Sequence, residues 1–156
     1  MADSAVAAVR RPGTDSAGHR LLWHGFLLFL LGLLVGFAVQ ATTNPRMALS
    51  AHLEGVMNGM FLAILGLAWD RLDLAPRPRT VLFGLALYGT YANLASTTLS
   101  AVFGTSRMTP LAGAGFTAAP WQEAVVAVGL VSLSIAMVAV CTLVLWGLGR
   151  AARRFQ

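Results

Sequence analysis

The sequence predicts an all-α, polytopic membrane protein: a four-helix transmembrane bundle with both termini on the cytoplasmic side. Three observations carry this. Of 156 residues, 57% are hydrophobic and only 11% charged, where a soluble domain carries about a quarter charged residues. The mean hydropathy is +0.72. Four apolar runs, at residues 21–40, 48–69, 80–103 and 122–148, leave almost no chain for a soluble domain. Each is long enough to cross a hydrocarbon core of about 30 Å as a helix. This composition excludes a disordered chain, and the single Cys141 excludes a module built on disulfides.

Taken in order, residues 1–20 (MADSAVAAVRRPGTDSAGHR) have no apolar stretch, so they are not a signal peptide. They read as a disordered cytoplasmic tail. The first run is closed by Thr42-Thr43-Asn44-Pro45, the second by Asp70-Arg71-Leu72-Asp73 and the prolines Pro76 and Pro78. A Gly/Pro-rich stretch up to Pro120 separates the third run from the fourth, and residues 149–156 form a basic cytoplasmic tail.

All eleven basic residues are Arg. Arg10, Arg11, Arg20, Arg71, Arg77, Arg79, Arg150, Arg153 and Arg154 fall in the tails and the second loop, against Arg46 and Arg107 in the first and third loops. That asymmetry places both termini inside a bacterial-type inner membrane. Short Arg clusters between apolar runs are a topology signal and not a nucleic-acid footprint.

Gly32 and Gly36 make one small-xxx-small pair and Gly55 and Gly59 another, either for packing within the chain or for a subunit interface. Cys141 and the Met residues read as apolar fillers with no metal role.

The second run holds the unusual residues, in Ala51-His52-Leu53-Glu54-Gly55-Val56-Met57-Asn58-Gly59. Ionisable groups inside a span are costly and mark functional sites. At about 100° per residue, Glu54 and Asn58 share a face while His52 lies roughly 120° or more away. One narrow bundle cannot aim all three into one cavity, but two protomers can, His52 coming from one and Asn58 from its neighbour. The alternative leaves His52 and Glu54 solvated at the membrane interface. In the third run Asn93, Ser96, Thr97 and Ser100 form one helical stripe, flanked by Tyr88 and Tyr91. Interhelical hydrogen bonding accounts for the Ser residues. Asn93 needs more partners than that explains.

The run LSAHLEGVMNGMFL, with Asn44-Pro45-Arg46-Met47 before it, resembles the hydroxylaminobenzene mutases, small four-span bacterial membrane enzymes. A more distant resemblance is to the styrene oxide isomerases. Its residues are His24-Gly25, His52 followed six residues later by Asn58-Gly59, and Tyr91-Ala92-Asn93. The resemblance covers residues 21–148.

It implies a homotrimer with haem b between subunits, His52 as axial ligand of the iron, and Asn58 on the substrate side. The iron would act as a Lewis acid without net redox change. Two positions depart from the isomerase pattern: Gly89 stands where that family has an Asp, and Thr97 where it has a Tyr. Glu54 stands where it has a small residue.

With run one entering from inside and run two from outside, His24 and His52 lie roughly 20 Å apart along the membrane normal. One chain therefore cannot supply both axial ligands to one iron, and the open position favours a bound substrate over electron transfer.

The expected function is an isomerase: a haem-dependent mutase rearranging hydroxylaminobenzene to 2-aminophenol. Glu54 would serve as acid and base, Asn58 and Asn93 would orient the substrate, and Thr97 would line the site. The alternatives are an epoxide isomerase, against which the missing Asp and Tyr argue, and a non-enzymatic membrane haem protein or small transporter subunit.

Overall fold

The structure, a computed structural model, describes residues 16–153, and all its regular elements there are helical. The long helices are α1 (Ser16–Phe37), α2 (Pro45–Ala68), α3 (Pro76–Phe103) and α4 (Pro120–Arg153). Single 3₁₀ turns at Val39–Ala41 and Trp69–Arg71 follow the first two.

The helices start earlier than the apolar runs. Pro45, Pro76 and Pro120 are each the first helical residue, a place where a fixed φ helps and the missing N–H costs nothing. α1 begins at Ser16, so residues 16–20 of the expected tail are helix, and it ends at Phe37 where the chain tightens into the first 3₁₀ turn. α4 continues through Gly149 to Arg153, absorbing most of the expected C-terminal tail. Residues 1–15 and 154–156 of those tails lie outside the described residues.

α1 and α2 meet backbone to backbone. Gly18, Gly25 and Gly32 recur every seven residues on α1, as do Gly59 and Gly66 on α2. A Cβ on Gly25 would lie 2.8 Å from the Gly59 carbonyl oxygen, and one on Gly32 would lie 2.6 Å from the Val56 nitrogen. Both glycine pairs read from the sequence therefore serve packing within the chain. α3 packs along α2 and also touches α1, where the Tyr91 hydroxyl is 3.0 Å from His24 Nδ1 and the Phe83 ring lies under Arg20. Leu28, Leu62, Leu82, Leu94 and Val140 centre the apolar core.

α4 packs on α3 and on the α2–α3 connection, but among the described residues it does not pack against α1 or α2. The four helices thus form an open arrangement instead of a closed bundle, with α3 parting α2 from α4.

The two ends of the arrangement differ. At one end, Asp73 N–H donates to the Gly147 carbonyl (3.2 Å) and the Asp73 carboxylate pairs with Arg150 (3.7 Å). This joins the α2–α3 connection to the last turns of α4, beside the first turn of α1. At the other end Asn44 is fully buried. Its amide donates to the Ala112 carbonyl (2.8 Å), and its Oδ1 accepts from the Met47 N–H (3.2 Å), capping α2. Arg46 donates to the Ala114 carbonyl. The Glu123 carboxylate accepts from the backbone N–H groups of Ser106 (2.8 Å) and Arg107 (3.1 Å). Residues 104–119 are therefore a folded cap over the start of α2, entered through Gly104, whose φ of 71° ends α3 in the left-handed region.

Three helical segments are long and apolar enough to cross a membrane: Ala17–Phe37, Pro45–Arg71 and Pro120–Arg153. α3 is long enough at 28 residues. Its polar stripe lowers its hydropathy, and that stripe is mostly inside: Thr90, Ser96, Thr97 and Ser100 are buried.

Candidate active site

α2 distributes its polar residues over two faces. On the face toward α3, Glu54 and Asn58 stand one turn apart, and the Asn58 amide donates to Glu54 Oε2 (3.3 Å). From α3, the Asn93 amide donates to the same oxygen (2.7 Å). Two neutral donors thus hold one carboxyl oxygen. Among the described residues Glu54 Oε1 takes no hydrogen bond. Among the described residues Glu54 pairs with no Arg, and its partners are the two amides.

The cluster borders the open side of the molecule. On α3, Leu94 reaches Gly55 of α2, whereas Gly89 and Ser96 meet Met137 and Gly129 of α4. At about 100° per residue, Asn93 falls between these two stripes, where α3 parts α2 from α4. Glu54 and Asn93 are half-buried there, and Asn58 is 8% exposed.

Thr97 does not join the cluster. Its hydroxyl donates to the carbonyls of Asn93 (2.7 Å) and Leu94 (3.2 Å) in its own helix, and the residue is buried. Gly89, the other position where the isomerase pattern departs, is closed by α4: a Cβ there would lie 2.6 Å from Met137 Sδ.

His52 lies on the opposite side, toward α1. Its Nδ1 donates to the Gly32 carbonyl (2.8 Å). Its ring rests over Gly36, where a Cβ would come within 2.7 Å of Nδ1. A carbonyl can only accept, so Nδ1 carries a proton and Nε2 is the ring nitrogen outside that bond. His52 borders an apolar groove of about 410 Å³ with Leu33, Gly36, Phe37, Val39 and Leu49. Among the described residues no three His, Cys, Asp or Glu side chains gather to hold a bare metal ion.

The structure therefore brings Glu54, Asn58 and Asn93 together and keeps His52 apart from them, as the helical angles required. Three supporting features escaped the sequence reading. The first is the Gly32 carbonyl under His52. Its signal was available, because His52 continues the seven-residue series of Gly66 and Gly59. The second is the Asn44 hub, which the Asn-Pro pair announces as a helix start. The third is the His24–Tyr91 contact across α1 and α3, which had no signal in spacing.

Comparison with known proteins identifies the family. The family model described as styrene oxide isomerase matches residues 17–149. Hydroxylaminobenzene mutase HabB of Ectopseudomonas oleovorans is 50% identical over 145 residues, covering 92% of this chain and 88% of the relative. Hydroxylaminobenzene mutase HabA of the same organism is 40% identical over 127 residues, covering 81% and 94%. No solved structure matches the chain significantly. The chain belongs to the hydroxylaminobenzene mutase family and shares the styrene oxide isomerase domain; it is an isomerase and a multi-pass membrane protein.

Proposed function

We propose that this member of the mutase family rearranges hydroxylaminobenzene to 2-aminophenol at the Glu54–Asn58–Asn93 cluster, in a haem-dependent site completed between subunits of a homotrimer. The observation that carries the reading is the Glu54 carboxyl held through one oxygen by two amides, inside an apolar helical layer. The activity for which the relatives are named supplies the substrate.

The reaction moves an oxygen from nitrogen to the ortho carbon. Glu54 lends a proton to the departing N–OH oxygen. The N–O bond breaks with its electron pair on oxygen, leaving positive charge over nitrogen and ring. The oxygen bonds to the ortho carbon, Glu54 recovers its proton, and the ring hydrogen at that carbon ends on nitrogen. Substrate and product are isomers, so no electron acceptor is needed. General acid–base help of this kind is worth about 10²–10⁴-fold. Asn58 and Asn93 hold the carboxyl, and their remaining amide atoms orient the N–OH group. An apolar surround limits escape of the cation to bulk water.

The residues on the α1 side of α2 fit a haem. His52 has Nδ1–H fixed on a backbone carbonyl and lines an apolar groove, an arrangement in which protein imidazoles ligate metals through the other nitrogen. When bound, haem iron would supply Lewis acidity toward the substrate oxygen. The separation of His52 from the Glu54 cluster supports a site shared by two protomers.

In this reading α3 is the fourth span, its polar stripe shielded from lipid by α2, α4 and a neighbouring subunit. The Arg-rich end, with the first turn of α1 and the last of α4, faces the cytoplasm across the inner membrane.

The test is the initial rate of 2-aminophenol formation by purified Glu54→Gln beside wild type, normalised to haem. The expected loss is about 10²–10⁴-fold. A rate within about threefold of wild type would remove Glu54 from the mechanism. Because the matching family model is named for an epoxide isomerase, the same preparation is offered styrene oxide. Faster turnover of the epoxide than of the hydroxylamine would make the epoxide the substrate class.

A further inference from the structure

The Arg-rich end holds a pocket that catalysis does not use. The first turns of α1, the end of α2 and the start of α3 enclose about 340 Å³, lined by Arg20, Trp69, Arg79, Thr80 and Phe83 among others. Arg20 lies over the Phe83 ring (4.8 Å), and Arg79 over the Trp69 ring (5.2 Å). A guanidinium held against a ring face keeps its N–H edge for oxygens. Arg79 also donates to the Trp69 carbonyl (3.2 Å) and pairs with Asp70 (3.5 Å). Among the described residues Arg20 meets no carboxylate, and it is exposed.

The ligand this chemistry selects is a phosphate. Two guanidiniums on aromatic walls have no task for an uncharged aryl substrate. The pocket is also remote from the Glu54 cluster: Trp69 lies fifteen residues along from Glu54, about 22 Å of helix rise. Its surroundings favour a lipid as the source. Trp23, one turn deeper than Arg20 on the same helix face, is 57% exposed, and Val81 beside Thr80 on α3 is 51% exposed. They offer an apolar path away from the pocket toward the hydrocarbon. Basic pockets between helices at the cytoplasmic surface bind anionic lipid head groups.

We propose that the Arg20–Arg79 pocket binds the phosphate of an anionic lipid head group. The inference rests on the membrane placement of the chain and is independent of its catalytic reading.

The test uses the full chain, purified in detergent and stripped of lipid. Phosphatidylglycerol, phosphatidylcholine and inorganic phosphate are titrated in turn, and bound lipid is counted by native mass spectrometry alongside thermal unfolding. Phosphatidylglycerol should bind and raise the unfolding midpoint, with phosphatidylcholine doing neither. Arg20→Gln, a change at an exposed side chain, should weaken phosphatidylglycerol binding about fivefold, with Arg20→Lys restoring most of it. Equal binding of phosphatidylcholine, or undiminished phosphatidylglycerol binding by Arg20→Gln, overturns the proposal. So does inorganic phosphate alone reproducing the whole midpoint rise, which would assign the pocket to the free anion. Should Arg20→Gln lower the midpoint before any lipid is added, the bound-lipid ratio decides alone.

Discussion

α2 is built differently on its two sides. Toward α1 it packs through glycine: Gly55, Gly59 and Gly66 let the two backbones touch, and His52 is tied to a backbone carbonyl. Toward α3 it is held by side chains, with Glu54 and Asn58 meeting Asn93. The first side fixes a ring rigidly, because neither a carbonyl in a helix nor a glycine contact can rearrange. The second is a set of side-chain hydrogen bonds, which can break and re-form. A metal ligand wants the first kind of support, and an acid–base group wants the second.

The comparison breaks most completely if the two sides work in different protomers. His52→Ala and Asn58→Ala should each be nearly inactive, with the haem absorption lost or altered only in the first. Co-purified mixed oligomers of the two should recover activity. Tagged mixed oligomers that stay inactive would place both residues' work in one chain.

The next largest effect is on folding. Gly32→Leu forces a side chain into the Val56 backbone and should cost about 1–3 kcal/mol, as overpacking does. Gly84→Leu, where nothing lies within 4 Å, should leave the unfolding midpoint in place. Equal midpoints for the two variants would mean that the α1–α2 contact does not bear on stability.

Asn44→Ala removes the cap of α2 and the tie to Ala112. A loss of about 1–2 kcal/mol is expected, together with faster proteolysis within residues 104–119. An unchanged cleavage rate would separate that cap from Asn44. The smallest effect belongs to Tyr91→Phe, which deletes the contact with His24. Hydrogen bonds between membrane helices average about 0.6 kcal/mol, so the midpoint should move slightly and the haem spectrum should stay unchanged. A spectral change would tie His24 and Tyr91 to the haem side.

Much of the site was legible because helical geometry is local. A separation of four residues puts Glu54 and Asn58 on one face, and six residues puts Asn58 about 120° from His52, whatever surrounds them. Asn93 was picked out because an amide in a span needs partners, and it found them on Glu54. Thr97 was read from the same stripe. A stripe about 100° wide can face two neighbours, however, and the Thr97 hydroxyl closed on its own helix instead. The helix starts were misplaced because hydrophobicity marks where lipid begins, whereas Pro45, Pro76 and Pro120 mark where the helices begin.

By itself the sequence determined the class, the number of long helices, their alternating direction and the angular separation of His52 from Glu54. Each follows from composition or from a period within one helix. Only the tertiary structure decided which helices touch. It seated His52 on Gly32 and Gly36, passed Asn93 across to Glu54, and folded residues 104–119 onto Asn44. It also left α4 resting on α3 alone among the long helices. Those outcomes depend on how separate helices choose faces and register. In a membrane that choice is made by close packing and hydrogen bonding between segments distant in the chain, and no local pattern records it.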